Sequence, residues 1–130
     1  MNKFTLLIVI AGLVALFNSC AKEKNDLLQG SWERVNVENI NDTNMYIWEF
    51  DNGDITMSRA PKTNVGSATV TDKGIYILET NPLATKLQII DTSSELYNDR
   101  WDVLKLTDEQ MIIKLDIEGG VVYKEFVKIF

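Results

Sequence analysis

The sequence predicts an all-β fold: an antiparallel, up-and-down barrel of about eight strands that follows an N-terminal export signal. Three observations carry that expectation. Apolar and β-branched stretches recur between turn signals roughly every eight to twelve residues. Nothing beyond residue 19 has the pattern of a helix longer than one turn. The chain also reads as strand at both ends of this region, and closing such a sheet on itself removes its exposed edges.

The export signal spans residues 1–19. Lys3 gives a positive start, and Phe4 to Phe17 is an apolar run broken only by Thr5 and Gly12. That run is too short to cross a bilayer, which takes about 20 residues, and it fits the apolar part of a signal peptide. Leu16-Phe17-Asn18-Ser19-Cys20 then resembles the lipobox of bacterial lipoproteins, in the looser form of Bacteroidetes-type proteins. The resemblance implies that Cys20 is lipidated and becomes the first residue of the mature chain, held by acyl chains rather than spanning the membrane. Cys20 is the only cysteine, so no disulfide can form within the chain. Residues 20–25 read as a lipidated tether, and residues 26–130 as one barrel domain. Lys22-Glu23 is similar to the charged signals that route some such lipoproteins to the cell surface, which makes the expected location the outer membrane, on its periplasmic or external face.

Composition narrows the chemistry. With 13 basic and 19 acidic side chains the net charge is −6, so the chain would be repelled by nucleic acid, which is not an expected partner. There is no histidine, which removes Ser-His-Asp and Cys-His catalysis and the usual zinc ligand sets. No enzymatic activity, metal or cofactor is expected.

Taken in order, Asp26 to Gln29 suits a single helical turn with a leucine pair as a plug. Strands are expected over 31–38, 45–50 and 55–59, the last two joined by Asp51-Asn52-Gly53-Asp54 as a hairpin turn. After the loop at 60–64 come strands 65–71 and 75–80, separated by a turn at Asp72-Lys73-Gly74, and then 86–90 beyond Asn81-Pro82. Thr92 to Asp99 is polar, unpatterned and expected to be an exposed loop. The stretch 101–117 forms a hairpin through Thr107-Asp108-Glu109-Gln110, and Glu118-Gly119-Gly120 turns the chain into 121–130.

Several of these pieces, in this order, resemble lipocalins and the small lipocalin-like lipoproteins of bacteria: Leu28-Gln29-Gly30-Ser31-Trp32, Trp48 to Gly53, Gly74-Ile75-Tyr76, Trp101 to Asp108 and Tyr123 to Lys128. The resemblance implies a barrel with a plugged lower end and an open mouth. It is to the short class that lacks a helix after the barrel, whose cavity can be small or filled.

Gly30, Trp32 and Arg34 are the expected floor. Trp32 closes it against Leu27 or Leu28, and Arg34 shares its face by alternation and could lie over an indole. Tyr46, Trp48 and Phe50 repeat at the two-residue period of a strand and share one face. With Tyr76, Leu78 and Trp101 opposite, they form either an apolar wall for a ligand or the packed core of a barrel filled by its own side chains. The Asp51, Asn52 and Asp54 cluster lacks the rest of a calcium loop and reads as a turn. Asp99 and Asp102 could pair as acid and base, but nothing in the sequence fixes their separation. The expected function is therefore a membrane-anchored envelope lipoprotein that binds a small apolar ligand. The alternative is an interaction module, an accessory subunit that docks on an envelope protein partner in an outer-membrane complex.

Overall fold

The computed structural model describes residues 20–35, 39 and 41–130; the export signal over 1–19 and the expected strand residues 36–38 lie outside them. Eight strands form one closed antiparallel barrel in sequence order: β1 (Gly30–Arg34), β2 (Asn44–Asp51), β3 (Asp54–Pro61), β4 (Thr69–Thr80), β5 (Thr85–Ile90), β6 (Arg100–Leu106), β7 (Gln110–Ile117) and β8 (Gly120–Lys128). Closure runs through the short β1, which pairs with β8 at Trp32↔Lys128, Glu33↔Val127 and Arg34↔Phe126. The end where β1 begins is called the floor, and the opposite end the mouth.

Strand alternation decides what fills the barrel. Trp32, Trp48, Phe50, Ile55, Met57, Tyr76, Leu87, Ile89, Trp101, Met111, Ile113, Leu115 and Phe126 form one buried cluster with Leu28. In β2 the opposite face is buried as well. Met45 and Ile47 pack with Ala60, Val65 and Ile129 as a second, smaller cluster on the outer wall. The expected turn at Asn52-Gly53 is present, with Asp51 opposite Asp54 and both central residues at positive φ, 48° and 99°. That is the type I′ pattern, whose twist matches the strands it joins.

Three local expectations are corrected. The turn at Asp72-Lys73-Gly74 does not form, and 69–80 is one continuous strand. Its first half pairs with β3 and its second half with β5, the two sharing Ile75, with a register shift at Met57/Ser58. Gly74 serves close approach instead of a turn: a Cβ there would lie 2.6 Å from the Ile90 carbonyl oxygen and 2.6 Å from Thr92 Cγ2. Residues 65–67 form a 3₁₀ turn, so this strand starts at Thr69.

The second correction concerns the expected tether. Residues 20–28 are helical, and the helix is docked on the floor. Leu28 is buried beneath the barrel, Lys24 Nζ donates to Thr85 Oγ1 at 3.0 Å, and Lys128 Nζ donates to the Leu27 carbonyl at 2.8 Å. Contacts of this kind stabilise a helix too short to persist alone, and a cation at its last carbonyls suits the helix dipole. Burial lowers the Lys128 pKa, with Asp108 acting against the shift.

The third correction is Arg34. It lies at the mouth, not the floor, because β1 runs away from Gly30 and each strand residue advances about 3.3 Å. Arg34 covers the Tyr46 ring at 4.7 Å, and the cation over Trp32 is Lys128, at 4.9 Å. Gly30 and Trp32 lie toward the end where β1 begins. Gly30 has φ 109°, and a Cβ there would meet the Phe130 carbonyl oxygen at 2.3 Å. Trp32 is fully buried, and its Nε1 donates to the Leu28 carbonyl at 2.8 Å.

Gly74→Ala is expected to destabilise the barrel by about 1–3 kcal/mol, the usual cost of forcing an extra methyl into a packed site. Urea unfolding would measure it, and an unchanged midpoint would mean that Gly74 is not the point of close approach.

Candidate ligand site at the barrel mouth

The six side chains expected to form a wall fall into two groups. Trp48, Phe50, Tyr76 and Trp101 are buried and packed on one another or on core neighbours, with Leu78 half-buried against them. Trp48 meets Phe126 at a centroid distance of 4.8 Å and Phe50 at 6.4 Å, and Phe50 meets Tyr76 edge-on at 5.1 Å. The lower end of this stack is tied to the floor, where Gln29 Nε2 donates to the Tyr76 hydroxyl at 2.7 Å and Gln29 Oε1 accepts from Asn52 N–H at 2.8 Å. Tyr46 alone stands at the mouth, where its hydroxyl donates to Asp42 Oδ2 at 3.0 Å.

Above Trp48 lies a cavity of about 320 Å³, lined by Arg34, Tyr46, Trp48, Met57, Asp72 and Tyr97 among others. Its volume falls at the small end of the range for small-molecule sites, and its lining is mainly polar, with Trp48, Met57 and the rings of Tyr46 and Tyr97 as its apolar part. The expected exposed loop forms its roof. Thr92 is buried, its N–H donates to Asn98 Oδ1 at 2.8 Å, and Asn98 Nδ2 returns a bond to the Thr92 carbonyl at 2.8 Å. This internal closure turns Tyr97 inward, edge-on to Trp48 at 5.3 Å. Trp101 Nε1 donates to the Tyr97 carbonyl at 3.2 Å, and Lys124 lies over the Tyr97 ring at 5.2 Å.

A carboxylate latches the roof. Asp72 of β4 accepts from Ser93 N–H at 3.0 Å and from Ser93 Oγ at 2.8 Å, as well as from Lys73 N–H at 2.9 Å. Burial pushes the Asp72 pKa up, but the bonds from Ser93 and Lys73 outweigh it and hold the group below the usual carboxylate value. On the other side of the mouth, Asp42 is held low by hydrogen bonds, first from Asn44 N–H and then from the Tyr46 hydroxyl. The same bond to Asp42 is the main cause raising the Tyr46 pKa, so its phenol stays protonated.

The other sequence candidates, Asp99 and Asp102, each have local partners. Asp102 is ion-paired with Lys86, while Asp99 accepts from Arg100 N–H at 2.7 Å. Among the described residues no group of three or more His, Cys, Asp or Glu could hold a metal ion. Cys20 is an exposed free thiol within the helical residues. Tyr97, Asp72, Lys124 and Gln29 were not singled out by sequence reasoning. Only Tyr97 had a usable signal, as an aromatic residue isolated in a polar loop four positions before a tryptophan. Comparison with protein-family models, with curated proteins and with solved structures finds no match, so the functional argument rests on this chain's own residues.

Asp72→Asn is expected to loosen the roof, lowering stability by about 1 kcal/mol at neutral pH, the low end for bonds to a charged group that water can reach. Because the folded pKa is lowered, the latch contributes fully above the unfolded carboxylate range, near pH 4, and is lost as pH falls through the folded value. Tryptophan fluorescence followed through acid pH would show an early change in the native protein that Asp72→Asn removes. The same acid profile in both proteins would exclude the latch.

Proposed function

We propose that this chain is an exported lipoprotein, anchored through Cys20 in the bacterial outer membrane, whose lipocalin-like barrel binds a small ligand at its mouth. The observation that supports this best is the cavity under the 92–99 roof, with Trp48 below it, Tyr97 reaching in from the roof and Tyr46 at its side. Because side chains fill the interior below it, this reading puts the ligand at the rim and not in the middle of the barrel, where the aromatic wall was expected. Binding rather than catalysis fits the absence of histidine and the engagement of Asp99 and Asp102 in local contacts.

The second reading, an interaction module, draws on a different feature. A groove of about 370 Å³ on the outer wall is lined by Ile47, Val70, Ile129 and Phe130, beside the polar pair Ser31 and Glu49. An accessory subunit could use such a surface to meet another envelope protein.

Two measurements test the first reading. Cys20→Ser should release the protein from the membrane fraction or leave its signal unprocessed, and unchanged membrane attachment would overturn the anchor. Native mass spectrometry of the protein taken gently from its own membrane should show an extra mass of a few hundred daltons, lost on denaturation and absent from Tyr46→Ala. A co-purifying polypeptide without such a mass would instead support the interaction module.

A further inference from the structure

The mouth sets arginines beside the carboxylates Asp42 and Asp72. In a protein of net charge −6, the inward-facing basic residues toward the mouth ends of their strands include Arg34 of β1, Arg59 of β3 and Lys124 of β8. Tyr46 lies between the two arginines. Arg59 is its cross-strand partner in β3, and Arg34 Cζ sits 4.7 Å from its ring centroid.

Among the described residues, the carboxylates Asp42 and Asp72 at this end are already engaged. Asp42 accepts from Asn44 N–H, Asn44 Nδ2 and Tyr46, and Asp72 accepts from Ser93 and Lys73. The ion pairs among the described residues are Lys86–Asp102, Arg100–Glu79 and Lys114–Asp116, and none of them uses Arg34 or Arg59.

Resting on the reading of the mouth as a ligand site, we propose that it selects small anions with a flat apolar body, such as aromatic carboxylates. Arg34, which lines the cavity, would hold the anionic group with the exposed Arg59 beside it at the rim, and Trp48, Met57 and Tyr97 would hold the ring. A guanidinium stacked on a phenol ring has its plane fixed while its N–H edges point outward, so a carboxylate can be met by two parallel hydrogen bonds with little further ordering. Lysine could not replace this geometry, because its ammonium is a point charge on a flexible stem. The carboxylate of Asp42 works in the same direction. It anchors the Tyr46 hydroxyl from outside and so keeps the ring under Arg34. An apolar ligand with no charge would fill the same volume and leave both arginines hydrated at its edge.

The test compares phenylpropionate with phenylpropionamide, which match in size and differ in charge, by calorimetric titration of the purified protein at low and high salt. The acid is expected to bind about tenfold more tightly than the amide, with the advantage shrinking as salt screens it. Arg34→Gln should remove most of that advantage, weakening the acid far more than the amide, and Arg34→Lys should restore only part. Arg59→Gln, at an exposed position, gives a second variant that leaves the core untouched. Equal affinity of acid and amide for the native protein would overturn the anion preference while leaving the mouth site standing. An equal loss for both ligands in Arg34→Gln would reduce Arg34 to a support for Tyr46. Binding of neither compound at millimolar concentration would remove the mouth site and the preference together.

Discussion

Trp32 is where the separate parts of the molecule meet. Its backbone pairs with Trp48 of β2 on one side and with Lys128 of β8 on the other, so the residue that closes the barrel is also the one that carries its largest floor side chain. The indole is wholly buried, yet its N–H is satisfied by the Leu28 carbonyl, the last turn of the helix beneath. A buried indole without that partner would carry a desolvation cost of about 1–3 kcal/mol, so the helix end and the barrel floor stabilise one another. Lys128 completes the junction by lying over the indole while donating to Leu27.

From that junction upward, the barrel is solid for most of its height. The aromatic residues of β2 stack against β4 and β8, and a cavity lies beneath the roof, where Tyr97 and Trp48 meet. The roof itself is held by polar contacts, Thr92 with Asn98 inside it and Ser93 with Asp72 across to β4. An apolar floor under a roof fastened by hydrogen bonds puts the more weakly held part of the fold at the mouth.

The sequence made the strands legible where local chemistry and tertiary demand agree. Asn52-Gly53 both favours a tight turn and sits where one is needed, and the period-two aromatics of β2 do share a face. It misled where one residue type serves two purposes. Asp72-Lys73-Gly74 has turn composition, but Gly74 is small so that the Ile90 carbonyl and Thr92 can come close, and Asp72 is acidic so that it can hold Ser93. Arg34 shares a face with Trp32, but alternation says nothing of height along the barrel. The helix at 20–28 was hidden for another reason: its partners, Thr85 and Lys128, are far away in sequence. The same holds for Tyr97, whose burial depends on a loop closing over a tryptophan in β2.

That docked helix changes what attachment at its beginning would mean. The path from Cys20 to Leu28 is helical, about 12 Å long at 1.5 Å per residue, and is bolted to the barrel at Lys24, Leu27 and Leu28. A flexible leash would let the domain swivel and would fix only its distance from whatever held it. A short rigid arm transmits direction as well, so a group bonded at Cys20 would set which way the barrel points. The mouth, at the far end of β1 from that arm, would then face away from the point of attachment.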